Sequence, residues 1–177
     1  MLQITPNKKK IMGLFFDSPL ENFYLRGISR ETGIAITSVK RYIDELIRDS
    51  LIIEVKKGIY PSYKANRDDD NGIFRFYKKL DILERLHFSG LLEQIDDKCS
   101  PLCIILFGSA LRGEDIETSD IDLFVQSKEV EIDISKFEKL FHREINLFFE
   151  KNFSRLSKEL RSNLINGVIL KGYLNVF

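Results

Sequence analysis

Two aspartates separated by one residue, Asp120 and Asp122, are the side chains in this sequence most able to do chemistry. They lie in "SDIDLFV", where polar and apolar residues alternate. A strand there puts both carboxylates on one face and Ile121, Leu123 and Val125 on the other. Left unpaired beside an apolar core, the two charges repel, and one carboxyl is driven to keep its proton. A divalent cation resolves the conflict, and Mg²⁺ takes a few carboxylates together with waters and phosphate oxygens. Upstream, Gly108-Ser109 stops the apolar run "PLCIILF". A Gly-Ser turn at a strand end offers backbone N–H groups and a hydroxyl to phosphate, and glycine permits close approach. Turn and acids together suit a metal–nucleotide complex.

The elements that must position these groups are legible from periodicity. "PLCIILFGS" reads as a buried strand and "SDIDLFV" as a second. "REINLFF" reads as a third, with Ile145, Leu147 and Phe149 toward the core. Glu144 and Asn146 then share the aspartates' face. "ISKFEKLF" and "FSRLSKELRSNLING" read as helices, the second ended by Asn166-Gly167, and "VILKGYLNVF" as a strand or apolar tail. The expected fold class is α/β (α+β), with a mixed sheet flanked by helices on one side.

"GSALRGEDIETSDIDLFV" resembles the signature of the nucleotidyltransferase superfamily with the polymerase-beta-type palm, and more closely that of the minimal nucleotidyltransferases. Gly108, Ser109, Asp120 and Asp122 fill its positions, and Arg112, Gly113 and Ser119 fit the minimal subgroup. The resemblance implies transfer of a nucleoside monophosphate from an NTP, with ATP expected, to an acceptor hydroxyl. It implies a two-metal Mg²⁺ site held by Asp120, Asp122 and a third carboxylate on the next strand. Glu144 is the candidate by its facing and by "REIN", although the family's acid also aligns with Asn146. Gly108, Ser109 and Arg112 are the expected phosphate ligands. Arg112 equally suits a salt bridge to Glu114 or Asp115, both read as solvated loop acids. His142 reads as a surface residue.

The front half reads differently. Residues 1–67 carry 12 Lys/Arg against 7 Asp/Glu, whereas residues 68–177 carry 15 against 20, so a net charge of zero hides a basic half and an acidic half. "RDDDNG" marks the break. Before it come three helical patterns, the third with Val39, Ile43, Leu46 and Ile47 as its apolar stripe, then two short strands around Lys56, Lys57 and Gly58. "SRETGIAITSVKRYIDELIRDSLIIEVKKG" resembles the winged-helix transcription regulators over about residues 5–65. That resemblance implies double-stranded DNA as partner. Thr37, Ser38, Lys40 and Arg41 would face a major groove and Lys56 and Lys57 the flanking phosphates, with Lys8 to Lys10 in support. Winged helices also dock proteins, so the bland alternative stays open. The whole chain resembles archaeal and bacterial proteins that join the two parts.

The expected organisation is a winged helix over 1–66, a helical connector over 67–98 and the transferase domain over 99–177. In the connector, Phe74, Phe76 and Tyr77 read as packing residues rather than a stacking surface, and His87 as structural. Cys99 and Cys103 read as free, partly buried thiols. "MLQITPNKKK" lacks a signal-peptide core and no apolar run is long enough for a membrane span, so a cytoplasmic protein is expected. Three functions compete: an enzyme, with a toxin-like partner protein as one candidate acceptor; a regulator whose second domain senses nucleotide; and a dimeric scaffold. A homodimer is expected, since winged helices read DNA in pairs.

Overall fold

The computed structural model describes residues 4–55, 60–68 and 70–176. The chain divides into two units, Met1–Lys78 and Lys79–Phe177.

The first unit opens with α1 (Pro6–Asp17). Thr5 caps it by accepting the Lys8 N–H at 3.3 Å, and Pro6 occupies the first turn, where its missing N–H leaves no bond unmade. α2 (Leu25–Thr32) stops at Gly33, whose φ of +70° is the left-handed cap that glycine adopts without strain. After Ile34 and Ala35 comes α3 (Ile36–Arg48), whose Val39, Ile43 and Leu46 are fully buried. β1 (Ile52–Val55) and β2 (Ser62–Ala65) form an antiparallel hairpin, Ile52 opposite Ala65 and Val55 opposite Ser62. Phe23 bridges to Tyr63, which ties the α1–α2 segment to that hairpin. One core results, built from Ile11, Phe15, Ile28, Val39, Ile43, Leu46 and Ile52. Each such side chain contributes roughly 1.5–3 kcal/mol on burial.

Lys8 departs from its expected phosphate-facing role. It is buried, its ammonium 2.9 Å from Asp49 and 3.3 Å from Glu45 on and after α3. A buried lysine needs such partners, so its charge is spent inside the unit.

Residues 67–98 fall in both units. α4 (Ile73–Phe88) places Phe74 in the first core and Leu86 in the second, and α5 (Leu91–Cys99) follows the break at Ser89-Gly90. Phe74 and Tyr77 pack, as expected, but Phe76 is exposed.

The second unit holds a four-stranded mixed sheet in the order β5-β4-β3-β6. These strands are β3 (Cys103–Phe107), β4 (Ile121–Val125), β5 (Ile145–Phe149) and β6 (Val168–Gly172). β3 runs antiparallel to β4 and β6, while β4 and β5 are parallel. That parallel pair needs a crossover, which α7 (Ser135–Phe141) supplies. The closing segment is therefore a strand, β6. Its tail is held by Gln126, whose side-chain amide donates to the Asn175 carbonyl at 2.6 Å and accepts the Asn175 N–H at 3.0 Å.

Helices cover both faces of the sheet, not one. On one face, α4, α5 and α7 bring Leu86, Leu91, Ile95, Phe137 and Phe141 onto Ile104, Leu106, Ile121 and Leu123. On the other, Phe153 and Leu164 of α8 (Lys158–Ile165) and the turn before it cover Cys103, Ile105 and Phe124. The cause is visible in β3, every residue of which is buried, because a strand apolar on both sides needs cover on both. Cys99 is half-buried and Cys103 buried, both as free thiols. Among the described residues, no helix is long and apolar enough to cross a membrane.

Candidate active site

The site begins where β3 ends. Phe107 is its last residue, and Gly108 turns the chain into α6 (Gly108–Arg112) with a φ of +76°. A Cβ at 108 would run into the carboxylate of Asp122. Glycine is thus favoured twice over, by its backbone conformation and by the acid lying against it. Ser109 follows, half-buried, at the start of α6.

Asp122 sits on β4 opposite Phe107 on one side and opposite Asn146 of β5 on the other. Asp120 lies one residue before β4, where the Ile121 N–H donates to the Glu144 carbonyl at 2.9 Å. The Asn146 amide nitrogen donates to both acids, to Asp120 Oδ2 at 3.1 Å and to Asp122 Oδ1 at 3.2 Å. Two carboxylates on one face therefore converge on a single neutral donor. The same convergence fits a hard divalent cation, which prefers carboxylate oxygens plus water and phosphate oxygens. On its other side Asp122 lies against Gly108, with a carboxylate oxygen where a Cβ would sit.

The third position beside the aspartates is held by Asn146. Glu144 is exposed and lines a cavity of about 600 Å³ together with Asp120, His142 and Arg143. Among the described residues, no three His, Cys, Asp or Glu side chains are gathered so as to hold a metal ion. Side-chain alternation put Glu144 and Asn146 on the same face. The register places them differently. Ile121 pairs with Ile145, so Asp122 meets Asn146, and Glu144 falls before the strand, where alternation no longer fixes its direction.

Around this centre, Arg112 is exposed and pairs with Glu114 at 2.7 Å, the salt-bridge alternative of its two readings. Asp115 is not a solvated loop acid. It is buried against the largely covered side chain of Arg143, in an ion pair spanning the α6–β4 loop and the turn before β5. Charge patterning gave no sign of this, because the two residues are far apart in sequence. Gly113 ends α6. Ser119 accepts the Ile116 N–H at 3.0 Å and shapes the approach to Asp120. His142 is exposed at the end of α7.

In the first unit, Thr37, Lys40 and Arg41 are exposed on the outer side of α3 and Ser38 is half-buried. The Arg41 guanidinium lies 4.8 Å over the Tyr42 ring and 4.0 Å from Glu45. Lys56 and Lys57 lie outside the described residues. Periodicity missed a groove at the starts of α2 and α3, lined by Tyr24, Arg26, Ile36 and Tyr60. These residues stand outside the apolar stripes, so no periodic signal marks them.

Residues 90–172 match the family model described as "Polymerase beta, Nucleotidyltransferase". That span takes in the Gly108 turn, both aspartates and Asn146, and it supports a nucleotidyltransferase domain in the second unit. No curated protein and no solved structure matches the chain.

Proposed function

We propose that the chain is a Mg²⁺-dependent nucleotidyltransferase that moves a nucleoside monophosphate from an NTP, ATP by preference, to an acceptor hydroxyl. The observation that carries this reading is the convergence of Asp120 and Asp122 beside a glycine at which a Cβ would meet the Asp122 carboxylate. Gly108 and Ser109 bind the phosphates, with the turn at the head of α6 giving close backbone approach. Asp120 and Asp122 hold the cation that accompanies the nucleotide. When bound, that cation neutralises phosphate charge and lowers the pKa of the attacking hydroxyl. Arg112, exposed at the end of α6, can leave Glu114 for a phosphate oxygen.

The acceptor we favour is a hydroxyl on a partner protein, in the manner of an antitoxin acting on its toxin. The first unit is proposed to be a winged helix that brings the chain, as a homodimer, to double-stranded DNA. Thr37, Ser38, Lys40 and Arg41 would face the groove, and Lys56 and Lys57 the phosphates.

A second reading is favoured by Asn146. An amide in place of a third carboxylate supplies one charge fewer to a metal pair, which suits a nucleotide sensor on a DNA-binding unit. Incubation with Mg²⁺ and α-labelled NTPs, with and without proteins encoded nearby, separates the two. Label transfer lost in Asp120→Ala/Asp122→Ala supports the enzyme. Nucleotide binding without transfer or pyrophosphate release supports the sensor and overturns the enzyme.

A further inference from the structure

We infer that the buried Asp115–Arg143 pair is a positioning device that holds the Gly-Ser turn, Asp120 and the β5 strand in one arrangement. The inference rests on the nucleotide-binding reading of the site.

The pair is unusual for its burial. The two side chains are 6% and 7% exposed, and charged side chains are rarely buried this far unless paired. Such a pair is a poor source of net stability, because desolvation of two charges offsets most of their attraction. What a guanidinium nitrogen donating to a carboxylate oxygen, here Arg143 Nη1 to Asp115 Oδ2, supplies well is direction.

Its place in the chain gives that direction a use. Asp115 stands between two turns that close on themselves. Gly113 and Glu114 donate back to the Ala110 and Ser109 carbonyls at 3.2 and 3.1 Å. Ile116 and Ser119 bond to each other, N–H to hydroxyl at 3.0 Å and N–H to carbonyl at 2.9 Å. These bonds shape the loop without fixing where it lies. The Asp115 carboxylate reaches out of the loop to Arg143.

The receiving side is firmly built. The Arg143 N–H bonds the Glu138 carbonyl at 3.1 Å, and the Glu138 carboxylate accepts the Ile145 N–H at 3.1 Å. Upstream of Asp115 lie Gly108 and Ser109, and downstream lies Asp120. Three residues beyond Arg143 lies Asn146, bonded to both aspartates. Beside the Ile121–Glu144 and Asn146–Asp120 bonds, the ion pair therefore ties the middle of the α6–β4 loop to the start of β5, the two segments that deliver every proposed ligand except Asp122, which β4 itself places. Arg143 also borders the cavity that Asp120 lines.

The test replaces the pair by apolar side chains, Asp115→Leu/Arg143→Met, so that no buried charge is orphaned. Binding of α,β-methylene-ATP in the presence of Mn²⁺ is followed by calorimetric titration into the protein, beside the thermal midpoint. A positioning role predicts a midpoint equal to or above wild type. It also predicts affinity weaker by about tenfold or more, since misplaced ligands lose the geometry that binding needs. Affinity equal to wild type overturns the inference. If the double variant does not fold, Arg143→Lys decides, because it keeps the charge and loses the planar guanidinium that aims the Nη1 donor at Asp115. Weakened Mn²⁺–nucleotide binding in a folded Arg143→Lys supports positioning, and unchanged binding refutes it. Wild-type protein that fails to bind the complex removes the nucleotide reading and this inference together. Wild-type binding matched by the variants removes the inference alone.

Discussion

Asn146 and Asp122 face each other across the parallel β4–β5 pair, the amide nitrogen 3.2 Å from one carboxylate oxygen. The other Asp122 oxygen lies toward Gly108. One acid thus has a neutral donor on its β5 side and a glycine cradle on its β3 side.

Asn146→Asp exchanges that donor for a third acceptor. In chelator the variant should be less stable by about 1–3 kcal/mol, since two bonds to carboxylates are lost and a third charge is added. Mg²⁺ should restore the loss and bind more tightly than to wild type. Thermal melts with EDTA and with Mg²⁺ measure both effects. A variant indifferent to Mg²⁺ would show that the side chain at 146 does not face the cation.

Gly108→Ala places a Cβ at φ +76° and against the Asp122 carboxylate. The backbone cost is about 1–2 kcal/mol, and Asp122 must move as well. Nucleotide binding should fall by more than the lost stability explains. Calorimetric titration well below the melting temperature checks this, and unaltered binding would contradict the cradle.

Burial pushes the Cys103 thiol up to about 11 from an ordinary value of 9.0. Thiolate is the reactive form, so at pH 8 a thiol reagent should label half-buried Cys99 well before Cys103. The sign for stability follows. Between the two values the unfolded thiol ionises while the folded one keeps its proton, so stability falls as pH rises through that window. A Cys99→Ser protein that reacts promptly with Ellman's reagent at pH 8 would contradict the burial.

Much of the second unit was legible in the sequence because its strands are short and its patterns clean. "CIILF" is apolar throughout and becomes an interior strand, and "DIDLFV" alternates and delivers the acids. That same unbroken "CIILF" implied cover on both sheet faces, although helices on one side were expected. What stayed hidden depends on distant partners. Lys8 reads as one of three surface lysines until α3 supplies Asp49 and Glu45. Asp115 reads as a loop acid until the turn before β5 supplies Arg143. The choice between Glu144 and Asn146 is a choice of register between parallel strands, and no local pattern sets it.

Lys40 and Arg41 are exposed on the outer side of α3, as groove-facing residues must be. If the first unit binds DNA, Lys40→Ala/Arg41→Ala should weaken it and flatten the log K against log salt slope by about 2, near one for each phosphate no longer neutralised. Gel shift or anisotropy across a salt series measures the slope. An unchanged slope would remove α3 from any DNA interface.

Whether Gly108, Ser109, Asp120 and Asp122 make a metal–nucleotide site is tested most directly by calorimetric titration of the full chain with Mg²⁺ and a non-hydrolysable ATP analogue. Wild type should bind the analogue with Mg²⁺ and far more weakly in EDTA. Asp120→Asn/Asp122→Asn, folded by its melting curve, should lose the Mg²⁺-dependent part. Binding that is indifferent to Mg²⁺, or that survives in the double variant, would contradict such a site.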